Sequence, residues 1–162
     1  MDTLTAIRTR RSVRKYENRP IEREKLEMIV DAGRLAASGA GIQPWEFVVV
    51  TDAAKKRQVA ELSPYGKFIA DAGAAIVVLY KESSPYGKED CCSATENMLL
   101  AAHELELGTC WCVTNDEAGL LKSLGAPDGC HVGTIIAVGY PAETPEMPAK
   151  RPLNEVLHWE QY

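Results

Sequence analysis

Apolar residues in this chain recur with two different spacings, which predict an alternation of helices and strands. Spacings of three to four residues, as at Leu26, Ile29 and Val30, are typical of amphipathic helices, whereas continuous β-branched runs are typical of buried strands. The pattern predicts helices over residues 3–9, 22–37, 53–62, 89–106 and 115–124, a helical turn over 68–71, and strands over 46–51, 74–80, 109–113 and 132–138. This alternation predicts one domain in which helices flank a sheet.

Burial can be predicted for three of these elements. The strand over 74–80 is apolar almost throughout, which predicts a central position covered on both faces. The helix over 89–106 carries apolar residues around most of its circumference, which predicts that it runs through the centre of the domain. The first helix, capped by Asp2 or Thr3, should place Leu4 and Ile7 on its buried side.

The final segment, residues 141–162, follows neither spacing. It contains four prolines and ends in a group of bulky apolar residues: Leu153, Val156, Leu157 and Trp159. A segment of this composition cannot build a core, so we expect it to pack on another surface, of which a partner subunit is one candidate. It also carries two cations, Lys150 and Arg151, just before its last proline.

Charge is distributed unevenly along the chain. The net charge of -5 and the isoelectric point near 5.3 argue against a general nucleic-acid or anionic-membrane surface. Against this background, five cations fall within eight residues: Arg8, Arg10, Arg11, Arg14 and Lys15. Arginine forks beside the Ser12 hydroxyl suit phosphate oxygens, so this basic stretch predicts an anion clamp. A solvated charged surface and a nucleic-acid-binding arm remain open as alternatives.

A second candidate is the small-residue stretch over 38–45, which follows a helix and precedes a strand. Its glycines, Gly39 and Gly41, resemble half of a dinucleotide-binding fingerprint, but that fold requires the opposite order of strand and helix. Ser38 and Gln43 could instead offer hydrogen bonds to a flat polar ligand that approaches the backbone closely. A simple glycine-rich helix end is the alternative.

Two further positions are candidates for the wall of a pocket. Asn97 is an amide in an otherwise apolar helix, so it is either a satisfied structural residue or part of a pocket. Gly108 and Thr109 begin a strand directly after that helix, where backbone donors can point into a crevice. A tight helix-to-strand turn would explain the same residues.

Other kinds of chemistry are not indicated. The five cysteines form no CxxC pair and the three histidines have no ligand spacing, so neither a disulfide framework nor a metal site is predicted. No Ser-His-acid or Cys-His signature points to hydrolysis, and no side chain is predicted to be catalytic. The chain has no apolar run near the roughly 20 residues that span a bilayer and no secretory h-region, so we expect a cytoplasmic protein without membrane contact.

The order of these motifs is more specific than any one of them. Residues 10–16 (Arg-Arg-Ser-Val-Arg-Lys-Tyr) resemble the opening motif of the nitroreductase family of flavin-dependent oxidoreductases. Residues 38–47, which contain Gln-Pro-Trp-Glu-Phe, look like its second motif, and residues 96–111, from Glu-Asn-Met to Leu-Gly-Thr-Cys-Trp, look like its third. Residues 137–141 and 150–153 are similar to the last two motifs of that family. The resemblance covers essentially the whole chain.

The resemblance implies an α+β fold with three α/β/α layers, a mainly antiparallel sheet of four own strands, and a C-terminal tail that reaches onto the partner subunit. It also implies FMN, bound without a covalent link at the interface of a homodimer, with the small-residue stretch supplied by the other subunit. The family commonly has asparagine where this chain has Gly41. The residues assigned to FMN are Arg10, Arg11, Ser12, Arg14, Ser38, Gly39, Gly41, Gln43, Asn97, Gly108, Thr109, Lys150 and Arg151.

The function implied by the resemblance is NAD(P)H-driven reduction of nitroaromatic, quinone-like or flavin acceptors. Donor and acceptor would occupy one shallow, open site in turn, which is a ping-pong mechanism. A cation at Arg14 would stabilise the negative charge of the reduced ring. A flavin-binding module without turnover, such as a store, a sensor or a partner-fed redox protein, shares every cofactor residue and is the alternative.

Overall fold

The computed structural model describes residues 1–162 and has the three-layer α/β/α architecture that the sequence predicts. Its helices are α1 Thr3–Thr9, α2 Arg23–Arg34, α3 Ala53–Glu61, α4 Gly87–Glu104 and α5 Glu117–Leu124. Its strands are β1 Trp45–Val50, β2 Ala74–Lys81, β3 Gly108–Cys112 and β4 Cys130–Gly139. Short 3-10 turns lie at Gly39–Gly41, Lys67–Ala70 and Leu153–Glu155. None of the helices combines the length and the apolar character needed to cross a bilayer.

The four strands form one antiparallel sheet in the order β1-β2-β4-β3. In its centre, Val77 of β2 pairs with Val48 of β1 on one side and with Ile135 of β4 on the other. The strands β1 and β3 are therefore the edges of the sheet. An edge strand has backbone donors and acceptors on its outer side that further chain can pair with.

Side chains of β2 alternate between two hydrophobic cores. Ile76 and Val78 pack in the core below α2 and α4, whereas Val77 and Leu79 pack in the core on the side of α3 and α5. All four side chains are buried. This confirms the prediction that this strand is central and covered on both faces, because each face of the sheet carries a layer of helices.

Helices α1 and α4 are less buried than the sequence predicts. The side chains of Leu4 and Ile7 are 60% and 55% exposed, and Ala6 is the buried residue of α1. On α4, Cys92 and Ala101 are only partly buried, although the helix packs against α1, α2 and the sheet. The prediction for α1 is wrong for a single subunit, since no further layer of this chain covers its outer side, whereas α4 lies in the core and is only less completely buried than predicted.

The last helix also begins later than the predicted residue 115. Asp116, rather than Asn115, precedes α5, and its Oδ1 accepts a hydrogen bond of 2.9 Å from the Gly119 backbone N–H. The extra negative charge near the helix N-terminus favours the aspartate in this role.

The tail, residues 141–162, lies almost entirely on the surface. Leu153 is 70% exposed and Trp159 is 74% exposed. Its one regular element is the 3-10 turn at Leu153–Glu155. As expected from its prolines, the tail builds no core within this subunit.

A buried hydroxyl pair joins α4 to β4 and gives a test of the packing. Thr95 and Thr134 are both buried, and their Oγ1 atoms lie 2.6 Å apart. The variant Thr95→Val leaves the Thr134 hydroxyl unpaired, so we expect the free energy of unfolding to fall by about 1–3 kcal/mol. The double variant Thr95→Val/Thr134→Val should recover most of this loss, because neither hydroxyl then lacks a partner.

Urea denaturation of the wild type, both single variants and the double variant measures this coupling. Losses that simply add in the double variant would contradict the hydrogen bond.

Candidate functional site

The basic stretch lies along the free edge of β3. Ser12 forms a parallel bridge with Thr109, and the Val13 N–H donates to the Thr109 carbonyl at 2.9 Å. Gly108 permits this close approach, because a Cβ at that position would lie 2.8 Å from the Val13 side chain. The structure therefore brings together the predicted site residues Ser12, Gly108 and Thr109.

Two of the arginines border a cleft of about 350 Å³ at the start of β3. The Arg10 side chain is 24% exposed, and its Nε lies 3.9 Å from the Glu96 carboxylate of α4. The Arg11 Nη1 donates to the carbonyls of Arg8 and Arg10 at 2.8 and 2.7 Å. The other lining residues are Met1, Thr9, Val13, His103, Glu106, Leu107, Gly108, Pro141, Glu143, Thr144 and Pro145.

A carboxylate of the chain itself shows how the basic stretch binds an oxyanion. Glu143 Oε1 accepts hydrogen bonds from the backbone N–H groups of Arg14 and Lys15, at 2.6 and 3.0 Å. The strand-like pairing of Ala142 N–H with the Lys15 carbonyl, at 2.9 Å, holds this segment in place. Adjacent backbone amides directed at one oxyanion are a frequent arrangement at anion-binding sites.

Arg14 lies further along the stretch and is exposed, with its Nη1 3.5 Å from the Ser12 carbonyl oxygen. It also acts on a buried thiol, Cys110, to which the sequence assigned no role. A hydrogen bond from Cys112 lowers the pKa of Cys110 to about 7, with help from Arg14 and the Ser12 hydroxyl and against the effect of burial. The hydrogen bond to Cys110 and burial both raise the pKa of Cys112.

His103 is a second titratable group that sequence reasoning did not place in the site. It lies in the last turn of α4 and lines the cleft with Arg10 and Arg11. Its Nε2 is 2.8 Å from Thr9 Oγ1. Burial and the two guanidinium groups lower the pKa of His103 from its ordinary value. Its spacing from the arginines in the sequence gives no signal, because the contact depends on how α4 crosses the basic stretch.

The small-residue stretch lies at the other end of α4. The Gly39 N–H donates to Asp90 Oδ1 at 2.9 Å, and a Cβ on Gly39 would lie 2.3 Å from the Tyr86 ring. Ser38 Oγ accepts a hydrogen bond of 3.0 Å from the Gln43 backbone N–H. The side chain of Gln43 and the whole of Gly41 are exposed, so they are available to a ligand.

Within one subunit, the basic stretch and the small-residue stretch lie at opposite ends of α4 and do not meet. Asp90 lies in the first turn of α4 and His103 in its last turn, so they are separated by 13 residues. At 1.5 Å per residue the corresponding ends of the site lie about 20 Å apart. Asn97 lies between them, where its Nδ2 donates to the Ala32 carbonyl at 3.1 Å, and this contact favours the structural interpretation of that amide.

The cations of the tail are also separate from the cleft within this subunit. Lys150 and Arg151 are exposed, and Arg151 Nη2 donates to the Glu155 carbonyl at 2.7 Å. Neither residue lines the cleft at Arg10 and Arg11. A role for them at the same anion therefore stays a prediction that concerns the assembled protein.

The perturbed thiol gives a pH-dependent test of the site's electrostatics. We expect thiolate absorbance at 240 nm to rise with a midpoint near pH 7 in the wild type and to be missing at that pH in Cys110→Ser. The variant Arg14→Gln should move the midpoint upward, because it removes a cation that favours the thiolate.

The same shift predicts how stability depends on pH. Because folding lowers the pKa of Cys110, its contribution is full above the ordinary thiol value of about 8.5 and is lost as the pH falls through about 7. The stability difference between wild type and Cys110→Ser should therefore shrink between pH 9 and pH 6. A midpoint at or above the ordinary thiol value would contradict this arrangement.

Comparisons with known proteins agree on one family. The family model for the nitroreductase family matches residues 7–65 and 62–140. A relative from Methanothermobacter thermautotrophicus, provisionally named an NADH dehydrogenase/NAD(P)H nitroreductase, is 36% identical over 153 residues, which cover 90% of this chain and 80% of that protein.

Two solved structures extend this agreement to the fold. A provisionally named NADH dehydrogenase/NAD(P)H nitroreductase from Bacteroides thetaiotaomicron is 36% identical with a TM-score of 0.92, over 98% of this chain and 97% of that one. A provisionally named nitroreductase from Desulfovibrio desulfuricans, solved in complex with FMN, is 33% identical with a TM-score of 0.89, over 100% of this chain and 99% of that one.

Proposed function

Since the chain belongs to the nitroreductase family, we propose that it binds FMN and uses NAD(P)H to reduce nitroaromatic, quinone-like or flavin acceptors. The family, the fold class and the enzyme class predicted from the sequence are confirmed. The observation that carries the proposal in this chain is the basic stretch itself. Arg10 and Arg11 line a cleft at the start of β3, and Ser12 pairs with Thr109 of that strand beside it.

The residues at this cleft fit the phosphate end of FMN. Arg10 makes only a long ion pair with Glu96, so guanidinium donors remain for an anion. The backbone N–H groups of Arg14 and Lys15 already bind a carboxylate, that of Glu143, which has the charge and the oxygen geometry of a small anion. Gly108 and Thr109 bring the backbone of β3 to the same place. We assign Arg10 and Arg11 in the cleft, and Ser12 beside it, to the phosphate.

When bound, FMN supplies the hydride chemistry of the reaction, and the chain supplies binding, orientation and charge. We assign the exposed guanidinium of Arg14 to stabilising negative charge on the reduced flavin ring. Donor and acceptor use the same open face in turn in this proposal, so no acid or base side chain is required. Backbone amides and water provide the remaining polar contacts.

We propose further that the complete site forms in a homodimer. The two halves of the site lie about 20 Å apart on α4, which is too far for both to contact one ligand edge in the same subunit. A second subunit can supply Ser38, Gly39, Gly41 and Gln43 to the cleft of the first. The exposed apolar side chains of α1, Leu4 and Ile7, provide a surface that a partner would bury.

The tail has a place to bind in such a dimer. Beside the free edge of β1, a cleft of about 730 Å³ is lined by the apolar residues Leu26, Val30 and Val49 together with charged side chains of α2. The tail carries exposed Leu153 and Trp159 and has no core of its own. We propose that the partner's tail covers this edge, because an added segment would satisfy the outer backbone groups of β1 and bury apolar side chains on both sides.

The proposed function predicts that purified protein retains FMN after desalting and that the bound flavin loses its absorbance near 450 nm under anaerobic NADH or NADPH. The variant Arg10→Gln should bind FMN about 10- to 100-fold more weakly, because a hydrogen bond to a charged group is worth about 1.5–3 kcal/mol. Arg57→Gln, at an exposed arginine of α3 outside the cleft, is the matched control.

Each outcome has a definite meaning. Flavin that is retained and bleached by one donor supports the enzyme and identifies that donor. Flavin that is retained but never bleached favours the non-turnover module. A protein that retains no flavin contradicts the proposal.

The dimer can be tested on α1 by comparing two adjacent positions. We expect Leu4→Asp to weaken self-association by at least about tenfold in sedimentation equilibrium, because burying a leucine is worth about 1.5–3 kcal/mol and a buried carboxylate adds a cost. Thr3→Asp places the same charge on the same helix at another exposed position and is the control. Equal association of the two variants would exclude this face from the interface.

A further inference from the structure

We propose that His103 is a third cationic group of the anion site, and that binding of a phosphate-bearing ligand in the cleft is coupled to protonation of its imidazole. The inference deepens the proposed function, since it assumes that the FMN phosphate is the physiological anion. It stands on the position of His103 in the same cleft of about 350 Å³ as Arg10 and Arg11. No motif in the sequence connects this residue of α4 to the basic stretch.

The hydrogen bonds of the cleft assign the tautomer of His103. Thr9 Oγ1 donates its one hydrogen to the Thr5 carbonyl at 2.7 Å, as helical threonines commonly do. Its contact of 2.8 Å with His103 Nε2 therefore requires that Nε2 carry a hydrogen and donate it. In the neutral imidazole Nδ1 is then the free acceptor, so the additional proton binds at Nδ1.

The charges that face His103 come from three segments. Arg10 and Arg11 belong to the basic stretch, Glu104 follows on the same helix, and the Met1 ammonium group pairs with Glu104 at 2.5 Å. The remaining charged groups at the cleft are Glu106 and Glu143. Glu143 is already engaged by two backbone N–H groups, so the two guanidinium groups dominate at the imidazole.

An oxyanion bound between the arginines reverses this balance. Without it, burial and two like charges disfavour the imidazolium, which is why the pKa of His103 lies below its ordinary value. A bound anion adds negative charge beside the arginines, and the imidazolium becomes a favourable partner. The anion-bound pKa of His103 must then be higher than the free one, and by linkage the anion binds more tightly when His103 is protonated.

The direction of the pH dependence follows because the anion-bound pKa of His103 is higher than the free pKa. The additional affinity is fully present below the free pKa of His103 and is lost as the pH rises through the anion-bound pKa. A rise of one pKa unit corresponds to a tenfold difference in anion affinity between the two protonation states.

Proton NMR can measure the effect directly, because the chain has three histidines. The Cε1–H resonances are titrated between pH 5 and 8 without added anion, with saturating sodium sulfate, and with FMN. Sulfate stays fully ionised over this range, so its response does not include a titration of the ligand. His103→Gln assigns the resonance, and His131, which pairs with Glu117 outside the cleft, is the internal reference.

We expect the midpoint of His103 to rise by about one unit with sulfate and with FMN, while the reference resonance of His131 stays in place. Arg10→Gln should raise the midpoint in the absence of anion, because it removes a like charge, and should weaken the response to sulfate. His103→Gln should bind sulfate with an affinity that no longer increases toward low pH. A His103 midpoint that stays unchanged with saturating sulfate and FMN overturns the proposal.

These outcomes are separable from those of the proposed function. A sulfate response in a protein that retains no FMN supports the role of His103 and contradicts the flavin enzyme. Flavin that is bound and bleached by NAD(P)H, with an unchanged His103 midpoint, supports the enzyme and overturns the role of His103.

Discussion

Repulsion among the cations of the basic stretch is the physical constraint on which the site depends. Backbone pairing with β3 holds the stretch in place regardless of its charge, since Val13 N–H and the Thr109 carbonyl form an ordinary hydrogen bond of 2.9 Å. Two unit charges 4 Å apart near a protein surface repel by about 4 kcal/mol at an effective dielectric constant of 20. The fold thus holds several cationic side chains close together, and a bound anion would reduce their repulsion. The Glu143 carboxylate already supplies one negative charge, at the backbone N–H of Arg14.

The same charges act on two neighbouring titratable groups in opposite directions. In addition to Cys112, which has the largest effect, Arg14 and Arg10 favour the thiolate of Cys110 and lower its pKa, because a thiolate is an anion. Arg10 and Arg11 disfavour the imidazolium of His103 and lower its pKa, because it is a cation. The basic stretch therefore lies beside one group that can become an anion, the Cys110 thiol, and one that can become a cation, the His103 imidazole. A ligand that neutralises the arginines changes the pKa of both.

The sheet places this region at one of its two free edges. The outer side of β3 is paired with the chain's own basic stretch, whereas β1 is left beside an apolar cleft. The central helix α4 connects the two motifs that the family resemblance assigns to one flavin, but it holds them at opposite ends. The distance along this helix is the physical reason why a second subunit is needed in the proposed function.

The sequence by itself determined the elements, the central strand and the family. The apolar run of β2 and the spacing of α2 are local patterns, and local patterns depend on residues that are neighbours along the chain. The ordered motifs also assigned Ser12, Gly108 and Thr109 to one site, and the structure places these three residues next to one another. The exposure of Leu4 and Ile7 could not be read in the same way, because an apolar helix face looks alike whether it meets its own core or a partner.

Only the tertiary structure decided which groups share the cleft. His103 lies 92 residues after Arg11 in the sequence, and their proximity depends on the direction in which α4 crosses the basic stretch. The pKa of Cys110 is lowered first by Cys112 of the same strand, and the smaller contributions of Arg14 and Ser12 require the basic stretch to lie against β3. Electrostatic effects depend on distance and burial in space, and a linear sequence contains neither quantity.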